Sequence, residues 1–238
     1  MKTEIVINNL SKSYGEKRAL NNVSLHIETG MFGLLGRNGA GKTTLMRILA
    51  TILSKSGGDV TVCGYDIGKT KEIRKLVGYL PQEFSMYSNM TVYEAMDYLG
   101  VLSELPSKIR KEKIPVLLKK VNLDDCSKVR VKALSGGMKR RLGIAQAILH
   151  DPKVLIVDEP TAGLDPEERV RFRELLCETA ENRIVILSTH IVEDIEKTCK
   201  KIAVLNKGEI VFTGLLSAFV GAEKSLEDAY MKQMGGRE

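Results

Sequence analysis

The chain has 238 residues, 43% of them hydrophobic, and its 36 Lys and Arg outnumber 30 Asp and Glu to give a net charge of +6. That length and apolar content suffice to core one large α/β domain with an inserted subdomain, whereas the longest apolar runs, residues 184–187 and 202–205, are strand length and far from the roughly 20 residues of a membrane span. Cys63, Cys126, Cys177 and Cys199 are scattered without C-x-x-C spacing, and Met1-Lys2-Thr3-Glu4 is no secretory signal, so a soluble cytoplasmic protein with four buried, reduced thiols is expected.

In chain order, residues 4–7, 23–27 and 60–62 are short β-rich segments that predict an antiparallel sheet. Between them the apolar run 31–35 leads into Gly36-Arg37-Asn38-Gly39-Ala40-Gly41-Lys42-Thr43, which matches G-x-x-x-x-G-K-[ST]. Residues 44–51 then read as a helix with Leu45, Ile48 and Leu49 on one face. The glycines let successive N–H groups turn inward onto a phosphate chain at the positive end of that helix. Lys42 is expected to neutralise β- and γ-phosphate oxygens, Thr43 to place its hydroxyl on Mg²⁺, and Thr44 to reach the α-phosphate.

From about residue 84 to 149 the pattern turns helical. Its last helix, 136–149, opens after Ser135 on Gly136 and Gly137, with Leu142, Ala145 and Leu149 toward the core, its positive end free for phosphate, and Pro152 as its stop. Residues 154–157 are four apolar residues in a row, as in a parallel strand buried on both faces. The strand delivers Asp158 and Glu159 to the carboxyl edge of the sheet, where nucleotide sites form. Asp158 suits Mg²⁺ held through water, and Glu159 suits a general base on the attacking water. The competing reading is that both only cap the turn before Pro160. Further strands are expected at 184 and 202, and a closing helix at 225–234.

Taken together, these motifs resemble the ATP-binding subunit of an ABC transporter over essentially the whole chain. The resemblance implies an α/β fold: a RecA-like P-loop core with a parallel sheet, an N-terminal antiparallel β subdomain and the helical subdomain inserted at about 84–149. It also implies roles for residues that composition alone would not single out. Tyr14, in Ser11-Lys12-Ser13-Tyr14-Gly15, stands where the family stacks an aromatic on adenine, and the whole loop from Gly36 through Asn38, Gly39, Ala40 and Gly41 to Thr44 holds the phosphates. Gln82, in Tyr79-Leu80-Pro81-Gln82, matches the glutamine that senses Mg²⁺ and the attacking water. Ser135, Gly136 and Gly137 match the signature that contacts the γ-phosphate bound by an opposing subunit, Asp165 matches the loop that crosses the dimer interface, and His190 matches the switch histidine. Outside this set, His26 and His150 read as structural.

Two positions depart from the commonest pattern: Met138 stands where the signature has Gln, and Arg37 where many relatives have Pro. Met138 with the Tyr79-Leu80-Pro81-Gln82 wording looks most like the ABC-2 group, mostly exporters in prokaryotes. The implied ligands are ATP and Mg²⁺, and the implied partners are an integral membrane permease and a second ATPase subunit, identical or related. Such a subunit sits on the inner face of the cell membrane.

Charge is unevenly spread, since residues 104–141 carry twelve Lys and Arg against four acids. Such a surplus fits either a face lying against an anionic leaflet or a solvated helical surface. It is not interleaved with aromatics, so nucleic acid is not an expected partner. A membrane-free ABC ATPase is the alternative function. Coiled-coil or zinc-bearing members are disfavoured by the short 83–134 interval between Gln82 and Ser135, and a P-loop kinase or GTPase is disfavoured by the signature.

Overall fold

A computed structural model of the chain describes residues 2–235, so Met1 of the opening stretch lies outside the described residues. Two sheets organise it. β1 (Glu4–Tyr14), β2 (Lys17–Glu28), β4 (Gly57–Val62) and β5 (Tyr65–Asp66) form an antiparallel sheet in the order β2-β1-β4-β5. The second sheet has the order β10-β9-β3-β8-β7-β6 and consists of β3 (Gly30–Leu35), β6 (Val77–Leu80), β7 (Val154–Asp158), β8 (Ile184–Thr189), β9 (Lys201–Asn206) and β10 (Glu209–Leu215). All its pairings are parallel except the β9–β10 hairpin.

The apolar runs of the central strands are continuous because each strand serves two cores. Val154 and Ile156 of β7, with Ile184 and Ile186 of β8, face the antiparallel sheet and α1 (Lys42–Leu49). Leu155, Val157, Val185 and Leu187 face the opposite core with Phe172 and Leu176 of α6 (Pro166–Thr179). Every residue of β7 and β8 is buried, and each aliphatic side chain so buried contributes on the order of 1.5–3 kcal/mol.

α2 (Thr70–Leu76) leads into β6. The predicted helical stretch resolves into α3 (Val92–Leu102), α4 (Ser107–Lys120), two short 3-10 turns, and α5 (Gly136–Ile148). α3 opens on a capping box in which Thr91 and Glu94 each accept from the other's backbone N–H. α5 packs Leu142 and Ala145 into the core as its periodicity predicts, and Leu149, its C-cap, is buried as well. α7 (Val192–Thr198), α8 (Leu216–Val220) and α9 (Leu226–Gly235) complete the described fold. Among the described residues, no helix is long and apolar enough to cross a membrane.

Several details differ from the sequence reading. α1 starts at Lys42, two residues earlier than expected, and ends at Leu49 as Thr51 turns to φ 57°. β6 and β10 carry no usable period: β6 is four residues long and interrupted by Gly78, whose missing side chain admits α5, since a Cβ there would lie 2.0 Å from the Ala147 carbonyl oxygen. Of the four cysteines expected to be buried, only Cys63 and Cys199 are; Cys126 is half-buried and Cys177 is exposed on the outer face of α6.

Candidate active site

β3 runs out of the sheet at Leu35 and the chain turns through Gly36–Gly41 before α1 begins. The turn requires glycine at Gly41: φ is 110°, and a Cβ would lie 2.6 Å from the Ala19 carbonyl oxygen. Lys42 folds back across the loop, donating to the Gly36 carbonyl at 2.6 Å and the Arg37 carbonyl at 3.3 Å. Its Nζ also lies 3.1 Å from Glu159 Oε1, and both side chains are almost wholly buried. Oε1 has no partner of hydrogen-bond geometry among the described residues, so this contact is a Coulombic pair.

Glu159 follows β7 with φ 48°, a left-handed conformation that a side chain adopts only under constraint. Its N–H donates to the Ser188 carbonyl at 2.8 Å, tying it to neighbouring β8. Its second carboxylate oxygen, Oε2, lies 2.7 Å from Nδ1 of His190, whose ring is 43% exposed. One carboxylate is thus held between an ammonium and an imidazole.

Asp158, one residue earlier, is fully buried, and neither carboxylate oxygen has a hydrogen-bond partner among the described residues. Burial pushes its carboxyl above the usual range, against the pull of the nearby Ser188 and Thr43 hydroxyls and Lys42. Two orphaned carboxylate oxygens next to a threonine hydroxyl make an oxygen-rich donor set, the type that hard divalent cations such as Mg²⁺ take.

Lys42, Thr43 and Glu159 open onto a cleft of about 710 Å³ whose walls include Tyr14, Thr44 and Gln82, with Asn38, Gly39 and Gly41 also lining it, whereas Asp158 and His190 adjoin Glu159 and do not line it. Tyr14 stands at the rim, 49% exposed, with Lys12 Nζ 5.3 Å from its ring centroid. Lys17, Arg18 and Lys207 line the same cleft and were missed by motif reading. The tight Tyr14-Gly15-Glu16-Lys17 turn between β1 and β2 and the Lys207-Gly208 turn between β9 and β10 were their only signals. The second turn is pinned to the loop, because Gly208 N–H donates to the Ala40 carbonyl at 2.9 Å.

Not every expected residue joins the cleft. Ser135 caps α5 by accepting from the Met138 N–H at 3.2 Å, and Ser135, Gly136 and Gly137 do not line the cleft. Gln82 lies between the two places: it also borders a groove lined by Gly136, Lys139 and Arg140. Gly137 backs onto α6, where a Cβ would lie 2.8 Å from Glu168 Oε2. Asp165 caps α6, accepting from the Glu168 N–H at 2.9 Å.

The comparisons with known proteins converge with this geometry. Residues 20–162 match the family described as ABC transporter. The chain is 42% identical over 211 residues to the uncharacterized ABC transporter ATP-binding protein YxlF of Bacillus subtilis (strain 168), covering 88% of this chain and 70% of that protein. It is 38% identical over 225 residues to the Nod factor export ATP-binding protein I of Paraburkholderia xenovorans (strain LB400), covering 92% of this chain and 73% of that protein. A solved structure described as the ATP binding subunit of an ABC transporter superposes with a TM-score of 0.87 at 26% identity, over 98% of this chain and all of the other. The chain belongs to the ABC transporter family, as an ATP-binding subunit and an ATPase.

Proposed function

We propose that this subunit hydrolyses Mg-ATP to drive transport of a substrate through an integral membrane permease, docked on the inner face of the cell membrane, and that the direction is outward. The observation that carries the reading is the Lys42–Glu159–His190 cluster, whose Lys42 and Glu159 line the same cleft as Tyr14. Support for the direction comes from relatives named for export, such as the Nod factor protein. The helical segment at about 84–149 is the part assigned to the permease.

Charge competition gives the mechanism its order. Before nucleotide enters, the ammonium of Lys42 is neutralised by Glu159. A triphosphate carries more negative charge than one carboxylate and so takes Lys42 for its β- and γ-oxygens, with the loop from Gly36 to Thr44 supplying N–H groups and Tyr14 the adenine stack. Glu159, released from Lys42 but still held by His190, is then free to polarise water against the γ-phosphate. Thr43, Gln82 and Asp158 would hold Mg²⁺, which supplies charge neutralisation for the phosphates. Ser135, Gly136 and Gly137 have no phosphate site within their own chain's cleft, so a second ATPase subunit presents them to the γ-phosphate. Loss of that phosphate loosens the pair, and the opening moves the permease.

Glu159→Gln keeps the shape of the side chain and removes its basicity. Turnover is expected to fall by about 10²–10⁴-fold with ATP binding retained and an ATP-dependent dimer trapped on size exclusion. Ordinary turnover in that variant removes Glu159 from this role. Affinity purification from solubilised membranes tests the transport reading: a polytopic membrane protein at stoichiometric amount supports it, and a soluble partner alone points to a membrane-free ATPase.

A further inference from the structure

Asp194 is a fully buried carboxylate on α7, four residues beyond His190, and the mechanism above does not use it. Its Oδ2 accepts a short hydrogen bond from the Thr161 hydroxyl, and Oδ1 accepts from Nη1 of Arg173 on α6 at 3.3 Å. Thr161 is itself 1% exposed and lies two residues beyond Glu159. Arg173 is anchored a second time by Glu193 at 3.1 Å. The backbone joins in as well, with the Thr198 hydroxyl donating to the Asp194 carbonyl at 2.5 Å.

We propose that Asp194 is a positioning residue for hydrolysis: through Thr161 it fastens the segment that carries Glu159 to the helix that follows His190. The inference rests on the reading of Glu159 as the base. Glu159 and His190 leave the ends of adjacent parallel strands, where Asp158 pairs with Ser188. The Glu159 N–H bond to the Ser188 carbonyl holds the backbone at the strand ends, but the two side chains meet only through Glu159 Oε2 and His190 Nδ1, the contact that nucleotide and water must share. Those ties leave the chain beyond the strand ends, from Pro160 on one side and Ile191 on the other, without a fixed spacing. The Thr161–Asp194 tie lies outside the cleft, away from any reacting atom, and fixes a second point, so the carboxylate and the imidazole keep their spacing while their partners change. It also accounts for the left-handed backbone at Glu159, since such a conformation persists only where its surroundings over-determine it. Arg173 completes the clamp by setting its guanidinium against the buried Asp194 side chain.

Thr161→Val, nearly isosteric, deletes only the hydroxyl, and Asp194→Asn weakens the acceptor. Both are measured for steady-state kcat, KM and thermal melting beside Glu159→Gln, with Ile5→Ala in the antiparallel sheet as a destabilised control. The expected result is a kcat about tenfold lower for Thr161→Val and Asp194→Asn, with KM within about twofold, since a displaced catalytic group costs rate rather than affinity. The double variant is no slower than the slower single, and Thr161→Ser, which restores the hydroxyl, recovers most of the rate. Unchanged kcat in both singles, while Glu159→Gln abolishes turnover, overturns the positioning role and leaves the base intact. An equal rate loss in Ile5→Ala at matched melting temperature overturns it also, by reducing the tie to general stability. An active Glu159→Gln overturns the reading beneath it.

Discussion

α1 and α5 both begin among glycine and hydroxyl residues, Gly41 and Thr43 at the first and Ser135, Gly136 and Gly137 at the second, yet their N-termini sit in opposite surroundings. Around the start of α1 the fold gathers Lys42, Glu159, His190 and the orphaned Asp158, and three of those four side chains are buried. At the start of α5, Ser135 and Gly136 are exposed and the serine hydroxyl is occupied with capping its own helix. A helix dipole is common to both, so the dipole does not distinguish them. What differs is the enclosing wall, which removes water and makes each charge count for more. Among the described residues the second helix has no such wall, which is the reason the proposed function completes it with another subunit.

The largest expected break in the comparison is at the walled end. Lys42→Ala removes one member of a buried pair and leaves Glu159 with the His190 contact alone. ATP affinity by calorimetry is expected to fall by about 2–5 kcal/mol, or roughly 30-fold and more. Tight Mg-ATP binding in that variant contradicts the loop assignment. The open end is probed by Ser135→Ala, where nucleotide binding to the monomer stays as it was. Turnover by the dimer drops about 10- to 100-fold, the worth of one hydrogen bond to a charged phosphate, while the lost cap costs about 1 kcal/mol of stability. If binding to the monomer weakens instead, the signature acts in its own chain's cleft and the contrast between the two ends disappears.

Tyr14→Ala tests the rim, where a half-exposed ring makes a weaker contribution than the buried groups. A loss of about 1 kcal/mol, near fivefold in ATP affinity with kcat unchanged, is expected for one lost base stack. The smallest effect is on stability and has the opposite sign. Because burial raises the Asp158 carboxyl in the folded state, stability is lost as pH rises from the unfolded pKa through the folded one. Asp158→Asn removes that loss, so in metal-free buffer at neutral pH its melting temperature is expected to rise, although its Mg-ATP turnover falls. A lower melting temperature shows that the carboxylate is compensated in the free protein after all.

The two ends of the comparison were not equally legible. The loop from Gly36 to Thr44, its preceding strand and following helix, the strand ending at Asp158 and Glu159, and the helix after Ser135 are all local patterns, set by glycine dihedrals, side-chain period and caps within about ten residues. The long strands β1 and β2 were seen only as fragments, because their bulged registers at residues 7–13 disrupt the alternation on which strand reading depends. Edge strand β10 and the Lys207-Gly208 turn were passed over for a related reason, since half-exposed strands carry a weak apolar signal. Exposed Cys177 shows the limit of residue-type expectation: cysteine prefers burial, but the outward face of α6 was decided by Phe172, Leu175 and Leu176 on the other side.

By itself the sequence determined which segments form strands and helices around a phosphate loop, because dihedral preference and hydrophobic period act between near neighbours. It also held the family's motifs in order, and with them the identity of the residues to watch. Only the tertiary structure decided that Lys42 rests against Glu159, that Asp158 is left without a partner, that Asp194 reaches Thr161, and that Ser135 stands apart from the cleft. Those facts depend on the parallel order β3-β8-β7, which brings strand ends far apart in the chain to one edge, and no local preference encodes which strands become neighbours.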